Sequence, residues 1–138
     1  MSGSTSRKLF VNLPVKDLAA SVAFFTALGF TFDARFTDDE ATCMIVSDEA
    51  FVMLLVEARF KDFTTRAVCD ATTHTEVILA LTASTRDEVD TFADTALNAG
   101  GQPANEPMDL EFMYGRSFLD PDGHLWEIFF MDPSALAE

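Results

Sequence analysis

FVNLPVKDLAASVAFFTALGF, residues 10–30, holds a strand, a capped helix and its stop in one stretch. The run Lys8–Val15 is strand-like and is closed by Pro14. Asp17 stands where a helix N-cap belongs, because its carboxylate can accept from the unpaired N–H groups of a first turn. Leu18, Val22, Phe25 and Leu28 then recur on one helical face, and Gly29 supplies the stop. Beyond it, FTFDARF, TCMIVS and FVMLLVE are separated by the acidic turns TDDEA and DEA, which predicts a three-stranded meander.

The same order is written again from residue 74. HTEVILALTA (74–83) predicts a strand, and Thr85 with Glu88 three positions later is a capping box. The helix RDEVDTFADTALNA (86–99) places Val89, Phe92, Ala96 and Leu97 on one face before Gly100–Gly101 end it. Segments 102–106, 113–119 and 125–131 complete the copy, with DPDG at 120–123 as the turn of the last hairpin. The fold class is therefore α+β, one domain of two βαβββ modules at about 8–57 and 74–133, joined by a polar linker at 58–73. A sheet with a single helix leaves its second face bare, so the two modules are expected to face each other across a cleft. Inward residues then alternate along every strand. Open sheet edges and 14 Phe favour a homodimer.

Composition narrows the function. The chain has 138 residues, with 9 Lys+Arg against 23 Asp+Glu and a formal net charge of −14. Nucleic-acid phosphate and anionic membrane repel such a protein. No apolar run approaches the roughly 18 residues a membrane helix needs, and the first residues hold no secretory h-region, so a cytoplasmic protein is expected. Cys43 and Cys69 form no zinc or CxxC spacing and read as reduced thiols.

The opening stretch, taken with GRSFLDPDGHLWEIFF at 115–130, resembles the vicinal oxygen chelate superfamily of glyoxalase I, bleomycin-resistance proteins, fosfomycin-resistance enzymes and extradiol dioxygenases. The resemblance spans about Lys8–Pro133, and its most specific motif is Asp120-Pro121-Asp122-Gly123-His124-Leu125-Trp126-Glu127. Within the superfamily the chain is similar to small bacterial proteins described as lactoylglutathione lyase-like. The resemblance implies paired βαβββ modules and, in metal-using members, a divalent cation (Ni, Zn, Mn or Fe) held by His, Gln or Glu from four strands. Such a cation would act as a Lewis acid on vicinal oxygens of the substrate.

Carried onto this sequence, those four positions fall at Phe10, at Met53 or Leu54, at Ile78 and at Glu127. Shifts of two residues bring in Asn12, Glu76 and His74. Phenylalanine and isoleucine offer no electron pair to a cation, so His74, Glu76 and Glu127 form the candidate metal set. Glu127 is also the candidate catalytic residue: an acid inside LWEIFF is costly to bury unpaired, and a carboxyl so placed suits a general base. A structural alternative pairs it with Arg116 or Tyr114. Phe10, Asn12, Met53, Ile78, Tyr114 and Arg116 are expected to line the cleft as ligand-binding residues, and His124 to point outward. Two functions follow: a metal-dependent lyase, isomerase or dioxygenase acting on a small oxygenated substrate, or a metal-independent protein that binds or sequesters a small molecule such as a drug.

Overall fold

The computed structural model describes residues 6–136. Asp17 caps the first helix as its position demands, its Oδ1 accepting from the Ala20 N–H at 3.1 Å. That helix, α1 (Leu18–Ala27), follows β1 (Leu9–Val15) and precedes β2 (Thr31–Phe32), β3 (Ala41–Ile45) and β4 (Ala50–Val56). The strands order as β1-β4-β3-β2, with β1 parallel to β4 and the remaining pairs antiparallel. This is the βαβββ module read from the sequence. A short helix α2 (Glu57–Lys61) opens the linker.

The second module repeats the plan. Thr85 Oγ1 accepts from the Glu88 N–H at 3.0 Å, while Glu88 Oε1 accepts from the Ser84 N–H at 2.7 Å. The capping box therefore closes one residue further back than its usual form. Helix α3 (Arg86–Asn98) lies between β5 (Ile78–Thr82) and β6 (Gln102–Pro103), followed by β7 (Met108–Leu110), β8 (Met113–Leu119) and β9 (Leu125–Met131). The order β5-β9-β8-β6 matches the first sheet strand for strand, with β5 parallel to β9. Strand β7 is an addition that pairs with the start of β8. The chain divides into two compact units, residues 1–68 and 69–138.

Each unit has its own core. In the first, Leu13, Phe24, Phe25, Met44 and Leu54 are buried. Helix α1 buries Ser21, Phe24 and Phe25, so its inner face is turned from the expected Leu18–Val22–Phe25–Leu28 stripe toward Phe24. LAASVAFFTA is apolar nearly all round, and spacing alone cannot orient such a helix. In the second unit Val89, Ala93, Ala96, Phe118, Trp126 and Ile128 are buried. Burying one such large apolar side chain contributes about 1.5–3 kcal/mol, so these residues carry most of each unit's stability. No described helix is long and apolar enough to cross a membrane.

Candidate functional site

Alternation along β8 and β9 sorts the second sheet into two faces. Val89, Ala93 and Ile128 pack together with Leu81, Phe92, Tyr114 and Phe130, so α3 covers the side bearing Tyr114, Arg116, Phe118, Trp126 and Ile128. The other side bears Met113, Gly115 and Ser117 on β8, Glu127 and Phe129 on β9, and Ile78 and Ala80 on β5. Glu127 stands directly between two small neighbours, Ala80 and Ser117, and Phe129 stands beside Gly115. These small residues leave space over the sheet. A cavity of about 90 Å³ opens there, lined by Met108, Met113, Gly115, Ser117, Glu127 and Phe129 together with Asn105, Glu106 and Arg116. It is the volume of a few water molecules, enough for one polar group of a ligand.

Of two predicted ligand-binding residues, Tyr114 lies on the helix-covered face, and Arg116 contributes to the cavity lining with its guanidinium tied to that helix. The Tyr114 hydroxyl donates to Asp90 Oδ1 at 2.6 Å, and Arg116 Nη1 donates to Asp90 and Asp94 at 3.0 and 2.9 Å. The Tyr114 hydrogen bond is the main reason that the Asp90 carboxyl is held below its ordinary range, and the same bond raises the phenol. Both side chains serve to fasten β8 to α3. The pairing of Glu127 with Arg116 or Tyr114 is excluded for the same reason. The sequence held the correcting signal: the five residues Asp120–His124 set Leu119 opposite Leu125, so residues opposite Glu127 and Phe129 on β8 must be odd-numbered.

The candidate metal donors are also separated. His74 and Glu76 were expected on one strand face, but β5 begins only at Ile78 and both precede it in irregular chain. His74 Nδ1 lies 2.7 Å from Thr73 Oγ1. Glu76 Oε1 lies 3.1 Å from His124 Nδ1, which must carry a proton to donate to it. His124 does not point outward; it is 1% exposed. Among the described residues no three His, Cys, Asp or Glu side chains are grouped to hold a metal ion. Registers lead to the same result. Asn12 pairs with Met53 in the first unit as Ala80 pairs with Glu127 in the second, so Met53 occupies the place equivalent to Glu127. Phe10, seven residues before its helix cap, likewise corresponds to Ile78, which is 53% exposed. Phe10, Met53 and Ile78 give no oxygen, and the donor set does not fit a divalent cation.

The first unit does bring Phe10, Asn12 and Met53 onto one sheet face, with the Phe10 ring stacked on Phe51 at 4.8 Å. That face offers an amide and a thioether, and the Lys8 ammonium lies 5.8 Å from the centre of the Phe51 ring.

The most recognisable motif turns out to be a brace. Asp120 is buried and accepts from the N–H groups of Asp122 and His124, at 2.9 and 3.0 Å, and from Trp126 Nε1 at 3.0 Å. Burial raises its carboxyl above the ordinary value of 3.8, against the lowering influence of His124 and these hydrogen bonds. Gly123 has φ +91°, and a Cβ there would lie 2.7 Å from the Ala71 carbonyl oxygen. The turn is thus locked to residues 71–76, and its rigidity fixes where β9 presents Glu127.

The comparisons agree with this architecture. Residues 7–47 match the bleomycin resistance protein-like N-terminal family. No curated protein matches the chain in sequence. Among solved structures, hypothetical protein SA1046 from S. aureus is 28% identical with a TM-score of 0.77, over 93% of this chain and 95% of that one. A glyoxalase-related enzyme from Fulvimarina pelagi is 22% identical with a TM-score of 0.77, over 91% and 88%. TnmS3, an antibiotic binding protein from Streptomyces sp. CB03234, is 16% identical with a TM-score of 0.65, over 96% and 100%. The chain shares its fold with solved glyoxalase, bleomycin-resistance and dioxygenase family structures, and its sequence match to the bleomycin resistance protein-like family is confined to residues 7–47. The matched residues span β1, α1, β2 and β3.

Proposed function

We propose that this protein binds a small molecule on the open face of its second sheet without a metal ion. The observation that carries the reading is the Glu127 cavity itself, in which the Glu127 carboxylate faces space cleared by Ala80, Gly115 and Ser117. Its counterparts Phe10, Met53 and Ile78 suit contact with an apolar ligand and not coordination. The antibiotic-binding likeness of TnmS3 supports binding in place of turnover. Glu127 would then act as the polar anchor that orients the ligand. In this reading the protein works in a reducing cytoplasm, where Cys43 and Cys69 stay as thiols, and as a homodimer that covers exposed side chains such as Leu9 and Phe63.

The test is calorimetric titration of chelator-treated protein with Ni²⁺, Zn²⁺ and Mn²⁺. The expected result is no stoichiometric binding tighter than millimolar. Micromolar binding of any of the three that Glu127→Gln abolishes would overturn the metal-free reading and restore a glyoxalase-type site.

A further inference from the structure

The net charge is distributed very unevenly between the two units. Residues 1–68 carry seven Lys and Arg against nine Asp and Glu, whereas residues 69–138 carry two Arg against fourteen acids. The unit that holds the cavity therefore has nearly all of the −14, and it has only Arg86 and Arg116 to offer an anion. Both are already engaged. Arg116 is held by Asp90 and Asp94 on the helix face. Arg86 donates to Asp109 Oδ1 at 3.0 Å and to the carbonyl oxygens of Leu110 and Glu111, and its guanidinium sits 5.5 Å from the centre of the Tyr114 ring. Two acids, Glu106 and Glu127, line the cavity, and neither has a cationic partner among the described residues. Met108, Met113 and Phe129 give the wall its soft apolar part, and Asn105, Ser117 and the already paired Arg116 its remaining polar part.

We propose that this cavity selects organic cations, taking a protonated amine or quaternary ammonium group carried on an apolar body. The inference rests on the reading of the cavity as the binding site and adds the chemical class of its ligand. A carboxylate or phosphate would meet two like charges, while the one guanidinium of the lining, Arg116, is already paired with Asp90 and Asp94. An ammonium group finds Glu127 between two small residues, while a ring or chain attached to it lies against two thioethers and the Phe129 ring, whose face attracts cations. The surplus of acids on this unit steers such ligands inward and repels anions before contact.

Benzylamine, benzyl alcohol and benzoate, which have similar size but different charge, test the proposal when titrated into the full chain with amide chemical shifts as the readout. Benzylamine should bind about tenfold more tightly than benzyl alcohol, and benzoate more weakly than either. Glu127→Gln should reduce benzylamine affinity about tenfold and leave benzyl alcohol unchanged. Glu111→Gln, outside the cavity, should leave all three unchanged. Equal binding of amine and alcohol, or tightest binding of benzoate, would overturn the cation class. Gly115→Val separates that failure from failure of the site, because even a Cβ there lies 3.3 Å from Phe129 Cβ and a larger side chain fills the space. If the variant abolishes binding of all three probes that show no charge preference, the site stands and the cation class falls. If it leaves every affinity unchanged, or if no probe binds the wild type, both readings fall. Ser117→Val serves the same purpose should Gly115→Val not fold, as judged by Trp126 emission.

Discussion

The two units share a strand order and a helix position but present different surfaces on their open sheet faces. In the first, β1 and β4 set Phe10 beside Phe51 and Asn12 beside Met53. In the second, β5 and β9 set Ile78 beside Leu125 and Ala80 beside Glu127, and β8 adds Gly115 and Ser117. The hydrogen-bond ladders are alike; the side chains that alternate on them are not. Architecture is therefore carried by the buried positions of each strand, and chemistry by a few exposed ones between them.

The closest equivalence lies in the cores, and the largest effects should be found there. Leu54 and Ile128 occupy matching register positions, opposite Leu13 and Leu81, and both are almost fully buried. Leu54→Ala and Ile128→Ala should each cost about 2–5 kcal/mol in urea unfolding. A loss confined to one variant would break the equivalence of the two units.

The glycines sharpen it next. Gly29 ends α1 at φ +98° with open space where a Cβ would be, so Gly29→Ala should cost about 1 kcal/mol from backbone strain alone. Gly123 has a similar φ but its Cβ would collide with the Ala71 carbonyl oxygen, a brace with no counterpart in the first unit. Gly123→Ala should cost about 2–3 kcal/mol by the same measurement. Equal losses for the two glycines would show that the DPDGH turn is not locked as described.

Smaller still is the effect of Tyr114→Phe, which removes only the hydroxyl bound to Asp90. It should lower stability by about 1 kcal/mol and leave ligand affinity untouched. A marked loss of affinity at unchanged stability would move Tyr114 to the open face.

The last prediction concerns pH and requires no substitution. Trp126, the chain's one tryptophan, donates to the buried Asp120 carboxyl. Burial raises that carboxyl in the folded chain, so the folded state holds the proton more tightly than the unfolded state does. Its contribution to stability is full below the unfolded value near 3.8 and is lost as pH rises through the higher folded value. Trp126 emission should therefore titrate with a midpoint above 3.8, a small but resolved change. A midpoint at or below 3.8 would contradict the burial of Asp120.

Much of the fold was legible in the sequence because its punctuation is local. Asp17 and Thr85 cap their helices, Gly29 and Gly100 end them, and both carry positive φ. The site was less legible, and for identifiable reasons. Asp120 and His124 belong to the most specific motif, but their hydrogen bonds go to the turn itself, to Trp126 and to Glu76. Tyr114 and Arg116 seemed natural ligand contacts because they are large polar residues of β8, and only the structure shows that the Tyr114 hydroxyl and the Arg116 guanidinium are bonded to α3. Glu76 sat on the wrong side of a strand boundary that period alone cannot fix to within four residues. Glu127 stood out in the sequence as a carboxyl in an otherwise apolar strand, and the register places it between Ala80 and Ser117.

The asymmetry between the sheets is tested most directly by mapping benzylamine-induced amide shifts in chelator-treated protein across both units. Metal-free binding on the second sheet predicts that the shifts cluster on Gly115, Ser117, Glu127 and Phe129 and vanish in Glu127→Gln. Shifts centred on Asn12 and Met53, or shifts that appear only when a divalent metal is added, would contradict it.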